Sequence, residues 1–97
     1  MFVHSVYFWL RPDLSATERQ TFLDDLNALL TIESVRFGFV GTPADTDRPI
    51  IDRSYSYALI VAFDDLAGHD AYQVHPIHDD FRGNAHCWEK IVIYDAK

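Results

Sequence analysis

At 97 residues the chain is the size of one domain, and its 48% apolar and 14% aromatic content rules out a disordered polypeptide. A formal net charge of −7, with the basic residues scattered from Arg11 to Lys97, argues against a nucleic-acid partner, which needs a clustered Lys/Arg surface. No apolar run reaches the roughly 20 residues of a membrane span, and no signal-like basic region precedes the first strand. The lone Cys87 has no internal disulfide partner, so a cytoplasmic protein with no membrane partner is expected.

Residues 2–10 (Phe-Val-His-Ser-Val-Tyr-Phe-Trp-Leu) read as a strand of aromatic and β-branched residues. Ser15-Ala16-Thr17-Glu18 forms a capping box, and Phe22, Leu26, Leu29 and Leu30 recur at helical spacing, predicting a helix to about Leu30. A second strand is expected over about 33–41. The polar stretch from Thr42 to Ser54 exceeds an ordinary connection, which marks a functional or interface loop. Tyr55 to Phe63 alternates as a third strand. Asp64 and Asp65 can cap a helix over about 65–74, Pro76 can open a short one to about Gly83, and Cys87 to Asp95 closes the chain as a fourth strand.

The order β-α-β-β-α-β predicts an α+β, ferredoxin-like antiparallel sheet with its helices on one face. Parity then assigns faces. Phe2, Val6, Phe8 and Leu10 share one side of the first strand, while Val3, Tyr7 and Trp9 share the other. In the last strand Ile91 and Ile93 oppose Trp88, Val92 and Tyr94. A sheet face open to water would be polar, and this second face is aromatic, so a homodimer packed sheet to sheet is expected.

The densest chemistry is Tyr72-Gln73-Val74-His75-Pro76-Ile77-His78. On an unbroken helix positions 72 and 78 would point about 120° apart. A break at His75-Pro76 lets Tyr72 and His78 converge on one cavity, with His75 and Pro76 structural at the junction. The alternative is that Tyr72 fills the core and both histidines cap a helix junction. By parity His4, Tyr57 and Asp95 also face the space between sheet and helices, where they would line a site with the phenol and imidazole. A metal has little support: His69, His75, His78, Asp79, Asp80 and His86 lie close in sequence but reproduce no strong ligand motif. No phosphate-cradling loop is present either, since Gly38 and Gly41 fall in a strand. No cofactor is expected, and Cys87 reads as a strand residue.

Val3-His4-Ser5-Val6, the strand Tyr57-Ala58-Leu59-Ile60-Val61-Ala62-Phe63 running into Asp64-Asp65, Tyr72-x-x-His75-Pro76-x-His78, and Trp88-Glu89-Lys90-Ile91-Val92-Ile93-Tyr94-Asp95 together resemble the stress-responsive α/β-barrel (Dabb) domain family. The resemblance spans nearly the whole chain and implies a dimeric α+β barrel. One branch of that family closes poly-β-keto thioesters by cofactor-free aldol condensation. There the residues matching His78 and Tyr72 act as general base and phenolic partner, and the residue matching His4 lines the pocket. Two pocket positions of that branch differ here, a histidine being Tyr57 and a tyrosine falling at Leu26, beside Phe22. The resemblance therefore implies a pocket for a small, partly apolar carbonyl or phenolic ligand, lined by His4, Tyr57, Asp95, Leu26 and Phe22. A non-catalytic ligand-binding or stress-protective dimer is the alternative. The related cofactor-free monooxygenases and haem-degrading enzymes fit less well, because Trp88 and Asn84 do not reproduce their haem arrangement.

Overall fold

The computed structural model describes residues 1–97. Strands β1 (Phe2–Leu10), β2 (Phe37–Gly41), β3 (Tyr57–Phe63) and β4 (Trp88–Ala96) form one sheet in the order β2-β3-β1-β4, every neighbouring pair antiparallel. Helices α1 (Ala16–Ala28), α2 (Leu66–Gln73) and α3 (Pro76–Arg82) supply the helical layer. This is the ferredoxin-like arrangement, with the second predicted helix pair resolved into α2 and α3. None of the helices is long and apolar enough to cross a membrane.

The capping signals act as the sequence indicates. Ser15 Oγ accepts from Glu18 N at 3.1 Å while Ser15 N donates to Glu18 Oε1 at 3.0 Å. Phe22 and Leu26 then face the core, and a 3-10 turn carries Leu29 into it. Turns through Ile32 and Val35 occupy residues given to β2 by the sequence reading, so that strand starts only at Phe37. Asp65 caps α2 by accepting from Gly68 N at 3.0 Å.

His75 is the N-cap of α3. Its Nδ1 accepts from Ile77 N at 3.1 Å, and its Nε2 lies 3.2 Å from Glu33 Oε2, so the ring ties the helix junction to the chain leaving α1. His75→Ala is expected to lower stability by about 1 kcal/mol, the usual cost of a lost cap. A denaturant titration checks this: the midpoint should fall with the slope unchanged.

Two expectations about faces are corrected. The register passes from Trp9↔Lys90 to Leu10↔Trp88, leaving Glu89 as an extra residue in a β-bulge. The bulge reverses the parity of β4, so Trp88 turns to the helix side instead of joining Val92 and Tyr94. There it stacks on Phe81 at 5.9 Å between ring centroids and meets Phe8 at 5.3 Å. Lys90 takes the outer face, with its Nζ 4.4 Å from the centre of the Trp9 ring. Tyr55 precedes β3 and packs against Tyr7 and Trp9 on the outer side, rather than continuing the alternation of Tyr57 and Leu59. Cys87 is the buried last residue of a 3-10 turn before β4, not part of the strand.

The core lies between sheet and helices and joins Phe8, Leu59, Val61 and Phe63 of the strands to Phe22, Leu26, Tyr72 and Phe81 of the helices. No helix covers the opposite face, where Phe37, Phe39 and Tyr94 stay exposed. The long loop borders that face. Ser54 Oγ accepts from Trp9 Nε1 at 3.0 Å, and Ile50 is left exposed.

Candidate active site between helices and sheet

Because Pro76 stops α2 and restarts the chain as α3, His78 falls in the first turn of a new helix and comes back over Tyr72. Their ring centroids are 4.9 Å apart, at 74°. Both line a cavity of about 250 Å³ between the helices and the β1–β4 side of the sheet. His4, Gln73 and Arg82 supply its other polar groups, and the remaining wall is apolar, including Phe8, Leu59, Trp88 and Ile93. A mostly apolar cavity with a few convergent polar groups is the usual form of a small-molecule site. A larger hollow of about 400 Å³ lies on the outer face among Tyr7, Trp9, Tyr55 and Tyr94, with Asp52 and Lys90 at its wall and no histidine.

Burial sets the protonation states. Desolvation, reinforced by the Arg82 charge, pulls His78 down to about 4, so its imidazole is neutral at physiological pH. Its Nδ1 is buried and has no hydrogen-bond partner within the chain. Tyr72 is almost wholly buried, and desolvation pushes its phenol well above the ordinary value, keeping it a neutral donor. His4, on β1, has its ring 6.0 Å from that of Tyr72. Its Nδ1 lies 2.5 Å from Asp95 Oδ1, reached through the direct pairing of His4 with Asp95 across β1 and β4. Desolvation lowers the His4 pKa despite the carboxylate's opposing pull, so Nδ1–H donates to Asp95 and the ring is neutral.

Four residues expected to line the site do not line it. Phe22 and Leu26 are sealed in the core with no exposed surface. Tyr57 faces the helices but lines a separate shallow depression with Leu23, Asn27 and Val40, toward the β2 edge. Asp95 does not line the cavity and reaches it only through His4. The histidines and aspartates of the 69–86 segment do not gather into one metal centre: His75 is a cap, and His86 Nδ1 meets Gly83 O at 3.2 Å. Arg82 was missed, although it follows His78 by one helical turn and so shares its face. Its Nη1 donates to Asp79 Oδ1 at 3.0 Å and its Nη2 to Gln73 O at 3.1 Å, which holds the guanidinium at the cavity and ties α3 to the end of α2.

The model of the family described as Stress responsive A/B Barrel Domain matches residues 2–97. A comparison with curated protein sequences finds no match. Among solved structures, a Dabb family protein with a ferredoxin-like fold from Mesorhizobium loti is similar at 26% identity and a TM-score of 0.78, over 99% of this chain and 94% of that one. A dimeric ferredoxin-like protein of unknown function from Thermobifida fusca matches at 20% identity and 0.78, over 98% and 88%. A hydroxynitrile lyase from Passiflora edulis matches at 22% identity and 0.77, over 98% and 90%.

Proposed function

The chain belongs to the stress-responsive A/B barrel domain family, and from that membership we propose a cofactor-free acid/base enzyme acting on a small, partly apolar carbonyl or phenolic compound. It works as a homodimer with one pocket per subunit. The observation that carries this reading is the pairing of a neutral His78, its Nδ1 unpartnered, with the Tyr72 phenol at the wall of one cavity. His78 removes a proton from a carbon beside a carbonyl, and the phenol donates a hydrogen bond to the enolate oxygen that develops. Such chemistry needs no metal or nucleotide, and its class agrees with the cyclase branch that the sequence resembles. The lyase from Passiflora edulis, built on a similar fold, supports an enzymatic use of this scaffold.

The burial of Tyr72 favours a second reading, a ligand-binding or stress-protective dimer without turnover, in which the phenol is only a core residue. Hydrogen–deuterium exchange at the activated carbon of β-dicarbonyl and phenolic ketone probes separates the two. Exchange accelerated by the wild-type protein and lost in His78→Ala supports the enzyme. Binding of the same probes without accelerated exchange supports the binding protein.

A further inference from the structure

At the His4 end of the cavity three potential ligands from three elements meet: His4 of β1, Asp95 of β4 and His69 of α2. One ring nitrogen of each histidine and one carboxylate oxygen of Asp95 lie within 4.8 Å of one another. We propose that His4, His69 and Asp95 form a binding site for a divalent late first-row transition cation, with Zn2+ as the reference ion.

The donor set is two imidazoles and one carboxylate, a combination that suits borderline cations and leaves coordination positions for water or a ligand. Zinc ligands at bond lengths of 2.0–2.2 Å stand about 3.3 Å apart in a tetrahedral site, so the cluster is near binding size before any ion enters. One contact that must change is between His4 Nδ1 and Asp95 Oδ1, now 2.5 Å apart across a proton. Ligation through Nδ1 moves that ring proton to Nε2, with no net release from the neutral imidazole, and the pair opens by less than about 1 Å.

Further contacts already orient His69. His69 Nδ1 donates to Asp70 Oδ1 at 3.2 Å, which leaves Nε2 as the ligating nitrogen; Nε2 now accepts from the Gln73 amide at 3.0 Å, a bond the ion must replace. A carboxylate on the second ring nitrogen is the outer contact that metal-binding histidines commonly carry, because it fixes the tautomer and raises ligand basicity. The rings of Phe2 and Phe63 flank His69 at 4.7 and 5.7 Å, which limits its swing. Side-chain exposure grades from 5% at His4 and 12% at His69 to 42% at Asp95, so the imidazoles are held inside while the carboxylate gives the ion a way in. None of this depends on the roles of His78 and Tyr72. Occupancy would nevertheless fix an imidazole that also lines the cavity.

The test uses the full-length protein stripped with a chelator and titrated with Zn2+ by calorimetry and with Co2+ by visible absorption. One Zn2+ per chain is expected, with the intense visible bands of four- or five-coordinate Co2+. His69→Gln and Asp95→Asn should each weaken binding at least ~10-fold, since even outer-shell changes at metal sites have effects of that size. Circular dichroism and mass in solution confirm that these variants remain folded. His86→Gln, which alters an exposed histidine outside the cluster, should leave binding unchanged. The proposal is overturned by absence of Zn2+ binding, by the weak spectrum of hexaaqua Co2+, or by undiminished affinity in both His69→Gln and Asp95→Asn.

Discussion

His78→Ala is expected to slow proton transfer on a carbonyl probe by ~10²–10⁴-fold, the usual contribution of a positioned acid/base group, while leaving the oligomer intact. Tyr72→Phe should cost less, because it removes only the hydrogen bond to the developing oxyanion. The double variant should lose less than the product of the two, since base and donor act on the same transition state. The pH profile identifies the base. Only neutral His78 can accept a proton, so activity should hold level through neutrality and fall as pH drops through about 4. A midpoint near 6.5, the ordinary imidazole value, would point to a solvated histidine instead and sink the assignment. Stability is linked to the same burial. Between the ordinary value and about 4 the unfolded chain binds a proton at His78 that the folded chain refuses, so stability declines as pH falls through that window. His78→Ala should remove that part of the decline.

The second large effect concerns the uncovered sheet face. Tyr7 sits at its centre, with Tyr55 at 5.1 Å and Tyr94 at 6.4 Å between ring centroids. If a second copy covers this face, Tyr7→Glu places an unpaired carboxylate in an apolar interface, at a cost of several kcal/mol. Each 1.4 kcal/mol is tenfold, so about 4 kcal/mol weakens association roughly a thousandfold and yields monomer at micromolar concentration. Trp9 is a poorer choice, because Lys90 lies over its ring and would partly neutralise a glutamate there. Sedimentation of the wild-type chain as a monomer at micromolar concentration would refute the dimer. A stable interface of this kind should bury more than about 1,200 Å² in total.

The order and type of the elements were legible because they rest on local signals. The Ser15–Glu18 box, the helical spacing of Phe22 and Leu26 and the alternation along β1 all act within a few residues of themselves. The Tyr72–His78 pairing was legible for a related reason. Proline at 76 blocks helix continuation whatever surrounds it, and the break itself redirects His78. The rest of the cavity was less so. Phe22, Leu26 and Tyr57 share the correct layer, yet parity says nothing about position along it, and the cavity opens at the β1–β4 side while Tyr57 lies toward β2.

Local chemistry in the sequence thus determined which segments become strands and helices, where α3 begins, and that His78 would leave the course of α2. Tertiary structure alone decided that Trp88 turns inward, because a bulge is a property of two paired strands and the extra Glu89 exists only relative to β1. It also decided that Tyr55 crosses to the outer face, and that residues 4, 69 and 95 meet at one point. Those three lie on separate elements, and only the antiparallel register of β1 with β4 and the packing of α2 over β1 bring their polar atoms together. The neutrality of His78 belongs to the same level, because desolvation arises from everything packed around the ring and from no neighbour in sequence.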